Sequence, residues 1–330
     1  MKINRPGKRA NFAGLVSFSD LDVVLDPAGL EGVDVAVVGA PIDETVSYRP
    51  GARFGPRAIR NAGYSAANPH LAAGVYPFDV LRVVDYGDAA VVGGDAAKSH
   101  AAIREIVHEV AAAGVVPLVL GGDHSIAHPD LGGVADALKP VPVGLVHFDA
   151  HADDAETVQG VVRSHGTPLR LLVNEGSLRG EHVVQIGLRG YWPGPKEFAW
   201  AKEQGFRWYL QAEVDERGID VVVDETVGHL TEAGLEHVFL SIDIDVCDPA
   251  FSPGTGTPEP GGMTAGDLLR ATRRLATELP VRGMEIVEVS PPYDHAEITA
   301  LLAHRVALEA LTGMALRRSG RAPEPYRDGR

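Results

Sequence analysis

The sequence predicts a doubly wound α/β domain, in which a parallel sheet is covered by helices on both faces. Short apolar runs rich in β-branched residues alternate with amphipathic segments along the whole chain. The runs are apolar almost without interruption, which is typical of strands buried on both faces of a parallel sheet. A chain of 330 residues is long enough for one large domain of this kind, and its glycines and prolines are not gathered into a linker.

The strands are predicted from these apolar runs in chain order. Each run is short enough for a strand and is bounded by turn-forming residues. The predicted strands are 33–40, 81–85, 115–120, 143–148, 182–188, 206–210, 237–243 and 283–289.

Two of the intervening segments carry clear helix signals. Apolar residues recur at spacings of three and four over 97–113, and Gly114 follows as a helix terminator. A second helix is predicted over 264–278, with Thr264 as its N-cap. The N-terminal segment before residue 33 and the Arg- and Pro-containing tail 317–330 are expected to be flexible, which leaves a single-domain core over 33–313.

Composition excludes several classes of function. The chain has 30 Lys plus Arg against 45 Asp plus Glu, a formal net charge of −15, so nucleic acid and anionic membrane are not expected partners. No signal-like apolar core opens the chain, and no stretch approaches the ~18 apolar residues of a membrane span. Cys247 is the single cysteine, which excludes an intrachain disulfide and fits a cytoplasmic location.

Carboxylates and imidazoles follow three predicted strands where those strands end. The segments are Gly-Gly-Asp-His-Ser at 121–125, Asp-Ala-His-Ala-Asp at 149–153, and Asp-Ile-Asp at 243–245. Alternation with alanine in 149–153 places its three polar side chains on one side of an extended chain. Because α/β sheets bind ligands beyond the carboxyl ends of their strands, we expect these groups to form one site.

Clustered carboxylates repel one another and require a positive charge among them, which dications supply. Four carboxylates and two imidazoles exceed the four ligands of a tetrahedral zinc, and they suit two ions that share bridging carboxylates. This donor set favours Mn²⁺ over Mg²⁺ or Ca²⁺, with Ni²⁺ and Co²⁺ left open. Such a centre activates water, which predicts a hydrolase in which a metal-bridging hydroxide is the nucleophile.

Other polar residues receive plainer interpretations. Asp123 and Asp248 are N-cap or supporting residues, and ten histidines are assigned to the surface or to a satisfied core. These are His70, His100, His108, His128, His147, His182, His229, His237, His295 and His304. By contrast, His165 lies in a loop where it can shuttle protons. Glu288 ends a buried strand, where its charge needs a cation such as a guanidinium.

These motifs resemble the ureohydrolase family, which contains arginases and agmatinases, over about residues 33–310. The family fold is a three-layer α/β sandwich around a mostly parallel sheet of eight strands. The matching segments are SYRPGARFGP at 47–56, GGDHS at 121–125, DAHAD at 149–153, HGTP at 165–168, QIGLRG at 185–190, SIDIDVCDPAFSPGTGTP at 241–258 and EVSPPYD at 288–294.

The resemblance implies hydrolysis of a guanidino compound to urea and an amine, in a homo-oligomer such as a trimer or hexamer. His165 resembles the proton-shuttling histidine of the family, and Glu288 resembles the acid that holds the guanidinium. The implied ligands are His124 and Asp153 for one Mn²⁺, His151 and Asp245 for the other, and Asp149 and Asp243 as bridges.

Two departures from the arginase pattern bear on the substrate. Arginases carry an asparagine at the position of Ala155 and an aspartate at the position of Gly190, and both contact the α-amino acid end of arginine. A site that lacks these contacts discriminates against arginine, which makes agmatine the first candidate. Guanidinobutyrate, guanidinopropionate, a proclavaminate-type intermediate, guanidine and a non-catalytic family role remain as alternatives.

Three residues are candidates for contact with the rest of the substrate. Asp43 and Asp154 could bind a terminal ammonium, although solvated loop acids are an equal interpretation. Trp192 could wall the pocket or pack on a neighbouring subunit. Arg49 or Arg53 could instead pair with a substrate carboxylate, or clamp loop carbonyl groups.

Overall fold

The computed structural model describes residues 13–63 and 68–322. Its eight strands form one sheet in the order β2-β1-β3-β8-β7-β4-β5-β6, and every neighbouring pair is parallel. The predicted eight-stranded α/β fold is therefore confirmed. The strands are β1 Val35–Ala40, β2 Val83–Asp88, β3 Val116–Gly121, β4 Gly144–Phe148, β5 Val183–Leu188, β6 Arg207–Leu210, β7 Val238–Asp243 and β8 Val281–Val287.

Helices cover both faces of the sheet and complete three layers. On one side α3 packs on α4, and on the other α10 packs on α9 and α1. The helices of the described residues are α1 Gly55–Ala62, α2 Pro77–Val80, α3 Ala96–Ala112, α4 Ala127–Leu138, α5 Pro168–Glu175, α6 Pro195–Gln204, α7 Gln211–Arg217, α8 Ile219–Glu232, α9 Ala265–Glu278 and α10 Ile298–Ser319.

Strand β3 shows why the sheet is apolar on both faces. Leu118 and Leu120 belong to the core beneath α9 and α10, whereas Val119 belongs to the core beneath α3 and α4. All three side chains are fully buried. Alternate residues of one strand thus fill different cores, which is why the strand reads as a continuous apolar run.

The two helices predicted from the sequence are observed, with the predicted N-cap and terminator residues at their ends. The side chain of Thr264 accepts a hydrogen bond from the Asp267 amide and caps α9 as predicted. Helix α3 ends at Ala112, and Gly114 follows with φ +79°, a left-handed conformation that glycine adopts without strain.

Several strand boundaries differ from the sequence prediction by one to three residues, and two of these differences have a clear physical cause. Strand β2 continues to Asp88, whereas the two aspartates near its end favour a turn in the sequence. The strand continues because Arg60 forms ion pairs with both Asp85 and Asp88 and neutralises them. Strand β8 ends at Val287, because Glu288 has φ +65° and leaves the extended conformation. Glu288 therefore lies just beyond the strand, at the edge where β3, β7 and β4 also end.

Both chain ends are more ordered than expected where they are described. Phe18 is fully buried, and the first residues of the tail complete α10. Arg317 donates to the carbonyl groups of Thr277 and Glu278, and Arg318 pairs with Asp34. Helix α10 therefore continues to Ser319, within the segment that was expected to be flexible, while 1–12 and 323–330 lie outside the described residues.

One helical segment of the described residues, His295–Ser319, is apolar and long enough to cross a membrane, which the sequence analysis did not expect. The structure explains its composition, because 78% of its apolar window is buried inside the fold against α9 and α1.

Close backbone packing at Gly122 generates a stability prediction. A Cβ atom at this position would lie 2.4 Å from the Ile42 carbonyl oxygen and 2.5 Å from the Ala40 carbonyl oxygen. We expect Gly122→Ala to lower the free energy of unfolding by about 1–3 kcal/mol or more, because backbone must move. Urea denaturation of the metal-free protein measures this. Gly93→Ala, where nothing lies within 4 Å, is the matched control, and equal stability of both variants would contradict the prediction.

Candidate metal centre

The end of β3 delivers His124 into the interior. Asp123 accepts a hydrogen bond from the Ser125 amide at 3.0 Å and so caps the short turn His124–Ile126. The His124 amide donates to Glu288 Oε1 at 2.9 Å. The imidazole is fully buried, and its Nε2 atom lies 2.8 Å from Ser241 Oγ, which directs Nδ1 into the site.

The segment after β4 supplies Asp149, His151 and Asp153. The His151 amide donates to Asp149 Oδ1 at 2.6 Å, which holds the carboxylate against its own loop. Asp153 has φ +48°, a left-handed conformation that costs a non-glycine residue about 1–3 kcal/mol and is concentrated at functional sites.

Strand β7 ends on Asp243, and Asp245 follows in the turn Ile244–Val246. The Asp245 amide donates to Asp243 Oδ1 at 2.8 Å. The Ala150 amide donates to Asp245 Oδ1 at 3.2 Å, which ties the β7 loop to the β4 loop. One oxygen of each carboxylate is held by backbone, and the other is left for the site.

The six predicted ligands converge in two groups. His124 Nδ1 lies 3.0 Å from Asp149 Oδ2, 3.0 Å from Asp153 Oδ2 and 3.2 Å from Asp243 Oδ2. His151 Nδ1 lies 3.1 Å from Asp245 Oδ2 and 3.4 Å from Asp149 Oδ1. Asp149 thus directs one oxygen to each group, which is the geometry of a bridging carboxylate.

The electrostatics of these groups require positive charge. Burial and the neighbouring charges of Asp245 and Asp149 raise the pKa of Asp243 well above its usual value. Burial opposes protonation of His124, but the surrounding carboxylates outweigh it and raise the pKa of this imidazole well above its usual value. The same balance raises the pKa of His151. Binding of a cation among these carboxylates is therefore electrostatically favourable.

The donor atoms fit metal ions. His124 Nδ1 and Asp149 Oδ2 are buried and make no hydrogen bond within the described part of the chain, which leaves their lone pairs for a cation. Candidate ligand atoms of Asp149, His151 and Asp245 lie within 4.8 Å of one another, as do those of a second group around His124 and Asp153. Imidazole nitrogen with carboxylate oxygen is a donor set for first-row dications.

His147 supports this centre, a role that the sequence analysis missed. Its Nε2 atom lies 3.2 Å from Asp149 Oδ2, and its ring stacks on His124 with centroids 5.0 Å apart. The Gln185 amide donates to His147 Nδ1 at 3.3 Å, which leaves the ring proton on Nε2, beside Asp149 Oδ2 but without a formed hydrogen bond. The sequence contained an indication of this role, because residues 147, 149, 151 and 153 are every second residue and so lie on one side of an extended chain.

His165 and Glu288 meet beside the metal ligands. His165 Nδ1 lies 3.3 Å from Glu288 Oε1, and the Ser47 amide donates to His165 Nε2 at 3.1 Å. The amide contact fixes the neutral tautomer with its proton on Nδ1. Burial lowers the affinity of His165 for a second proton, but the Glu288 carboxylate more than compensates and raises the pKa to about 9.

Glu288 presents its second oxygen to the site. Oε2 is buried and has no hydrogen-bond partner within the described residues. A Cβ atom at Gly256 would lie 2.9 Å from it, so the glycine preserves the space beside this oxygen. The left-handed backbone of Glu288 stores strain at the same point.

A cavity of about 330 Å³ opens onto these residues. It is lined at one end by His151, Asp153, Asp243 and His165, and elsewhere by Asp154 and Trp192. The predicted candidates Asp154 and Trp192 are therefore brought to the site. Burial raises the pKa of Asp154 to about 7, a penalty that a neighbouring cation would remove.

The structure corrects the expectation for Asp43. It does not line this cavity, and its carboxylate accepts hydrogen bonds from the Gly51 amide at 2.6 Å and from the Arg53 side chain. Both oxygens are used to hold the 51–53 loop, which leaves none for substrate. The same ion pair occupies Arg53, while Arg49 packs over Tyr48 and Tyr293.

The two positions that differ from arginases have distinct surroundings. Ala155 lines the cavity with a methyl group and offers no polar contact. At Gly190 the space is filled from another loop, because a Cβ atom there would lie 2.5 Å from the carboxyl carbon of Glu259.

The fold and site together define an α/β protein with a candidate metal centre at the carboxyl edge of its parallel sheet. Residues 33–313 match the family model described as Arginase family, and the chain belongs to that family. It is 40% identical over 301 residues to the mitochondrial guanidino acid hydrolase of Homo sapiens, which covers 91% of this chain and 83% of that protein.

Two further relatives support this assignment. The chain is 43% identical over 283 residues to the mitochondrial agmatinase of Gallus gallus, which covers 85% of this chain and 81% of the relative. The proclavaminate amidino hydrolase structure from Streptomyces clavuligerus superposes with a TM-score of 0.86 at 35% identity, covering 94% of this chain and 100% of that one.

The contact between His147 and Asp149 generates a prediction about metal affinity. We expect His147→Phe to weaken metal binding about 10- to 100-fold, because it keeps an aromatic ring but removes the polar Nε2 group that lies beside the Asp149 carboxylate. Chelator competition followed by metal analysis measures this. His304→Phe alters another buried histidine that stacks on a ring, remote from the site, and equal loss in both variants would contradict the assignment.

Proposed function

We propose that this protein hydrolyses a guanidino compound to urea and an amine with two bound Mn²⁺ ions. The observation that carries this proposal is the arrangement of Asp149, whose two oxygens face two separate groups of ligands. One ion would be held by His124 and Asp153, the other by His151 and Asp245, with Asp149 and Asp243 between them. When bound, such ions lower the pKa of water and supply a hydroxide nucleophile at neutral pH.

Glu288 orients the substrate. Its unpartnered Oε2 atom accepts hydrogen bonds from a guanidinium, and its charge offsets the charge of that cation in a buried site. Because Oε1 is already held by the His124 amide, the carboxylate cannot turn away from the metal ligands. The guanidinium carbon is thereby held next to the place where the nucleophile forms.

His165 moves the proton to the leaving amine. Its neutral ring donates from Nδ1 to Glu288 and accepts at Nε2 from Ser47. Because its pKa is raised to about 9, the ring also takes up a second proton at Nε2, where the Ser47 hydroxyl lies at 2.8 Å, and can give that proton to the departing nitrogen. Its place on the cavity wall gives that proton access to the departing nitrogen.

Agmatine is the substrate that the site supports best, with putrescine as the amine product. The methyl group of Ala155 and the absent side chain at Gly190 provide no contacts for an α-amino acid end. The named relatives differ among themselves in the end of the guanidino compound that they accept, so their identities of 40% and 43% do not choose between them. Homo-oligomer assembly and a cytoplasmic location remain predictions from the sequence.

The first test separates catalysis from a structural or regulatory role. After Mn²⁺ loading we expect about two metal ions per chain and urea release from agmatine in a panel of guanidino compounds that includes arginine. Asp149→Asn is expected to lose both metals and activity. Fewer than one metal per chain with no urea from any compound would refute the enzyme, and activity on arginine alone would refute the argument from Ala155 and Gly190.

The second test concerns the proton shuttle. We expect His165→Asn to lower kcat about a hundredfold or more while the metal content is retained, because the leaving amine is then not protonated. Steady-state kinetics with parallel metal analysis measures this, and His229→Asn on the surface is the control. Unchanged turnover in His165→Asn would remove this role.

A further inference from the structure

The cavity has a second acidic wall that the metal centre does not use. Asp154 and Glu197 both line it, together with the ring of Trp192. These residues come from different parts of the chain, the loop after β4 and the segment that begins α6. The metal ligands His151 and Asp243 line the same cavity, so one extended ligand can contact both the centre and this wall.

Asp154 is a buried acid without a partner. It is 1% exposed, and neither carboxylate oxygen makes a hydrogen bond within the described residues. Arg170 lies nearby and partly offsets this charge, but it forms no ion pair with the carboxylate. Its Nε atom donates to the Asp154 carbonyl oxygen at 2.7 Å, and its guanidinium lies 4.0 Å from the Trp200 ring centroid. A buried charge of this kind is costly unless a cation is brought to it.

Glu197 adds a second negative charge on the same wall. It lies in the first turn of α6, is partly buried, and no ion pair or hydrogen bond holds its carboxylate within the described part of the chain. It lines the same cavity as Asp154, so the two carboxylates face the same enclosed space. Two acids on the same cavity wall, neither of them in an ion pair, favour the binding of a positively charged group.

We propose that this wall binds the terminal ammonium of a guanidinoalkylamine, with Glu197 as the specificity-determining residue. The Glu197 carboxylate contacts the ammonium, Asp154 adds its charge from behind, and Trp192 packs along the alkyl chain. The same two charges repel a terminal carboxylate and so select against guanidino acids. The assignment rests on the proposed function and adds a reason for its preference for agmatine.

The first experiment compares three substrates of equal chain length on the Mn²⁺-loaded protein. Agmatine ends in an ammonium, n-butylguanidine in a methyl group and 4-guanidinobutyrate in a carboxylate. We expect kcat/KM for agmatine to exceed that for butylguanidine about 10- to 100-fold, with guanidinobutyrate lowest. Equal values for agmatine and butylguanidine, or a preference for guanidinobutyrate, would overturn the proposal.

The second experiment changes the wall. We expect Glu197→Gln to raise KM for agmatine about tenfold or more while kcat and the kinetics of butylguanidine are unchanged. Glu197→Lys should reverse the order of agmatine and guanidinobutyrate. Glu203→Gln and Glu203→Lys on the exposed side of α6 are matched controls. Calorimetry with 1,4-diaminobutane and n-butylamine gives a readout without turnover, and Glu197→Gln should weaken only the diamine.

The outcomes separate this proposal from the proposed function. If Glu197→Gln changes the KM values of agmatine and butylguanidine equally, or changes neither, then Glu197 does not recognise the terminal charge. The proposal that the protein hydrolyses guanidino compounds is unaffected by that result. If the wild-type protein loads two Mn²⁺ ions and releases urea from none of the three compounds, the proposed function fails instead.

Discussion

Mutual repulsion among buried carboxylates is the constraint on which the rest of the structure depends. Asp149, Asp153, Asp243 and Asp245 are brought within reach of two imidazoles at one edge of the sheet. Isolated burial of such charges would destabilise the fold by several kcal/mol per ion, on the order of the whole stability of a domain. Positive charge between the acids offsets this cost, so the proposed metal binding would stabilise the folded state.

The parallel sheet makes this concentration of charge geometrically possible. Strands β3, β8, β7 and β4 are consecutive neighbours in the sheet, and all end at the same edge. Each contributes residues immediately after its last buried position, where the chain is free to turn. Backbone amides then hold one side of Asp149, Asp243 and Asp245. The remaining oxygens are directed inward by the loops rather than by the acids themselves.

The site divides into a part shared by relatives and a part particular to the substrate. In the proposed function, the metal ligands, His165 and Glu288 would position a guanidinium for attack, and that chemistry is compatible with several substrates. Relatives that differ in the named substrate are nevertheless about equally similar to this chain. Asp154 and Glu197 make one wall of the cavity acidic. In the proposed assignment, this wall distinguishes substrates by the charge at the end opposite the guanidinium.

The sequence by itself determined the fold class and predicted which side chains gather as candidate metal ligands. Both depend on local periodicity, because the two-residue repeat of a strand fixes which side chains share a side. Extending the two-residue repeat from Asp149 towards the N-terminus by one step reaches His147, which the sequence therefore also placed on this side of the chain. Only the tertiary structure decided that Asp43 holds a loop, that Glu288 lies beyond its strand, and that Glu197 joins Asp154 at the cavity. These facts depend on contacts between segments far apart in the chain, and no local pattern of residues encodes which oxygen is already paired.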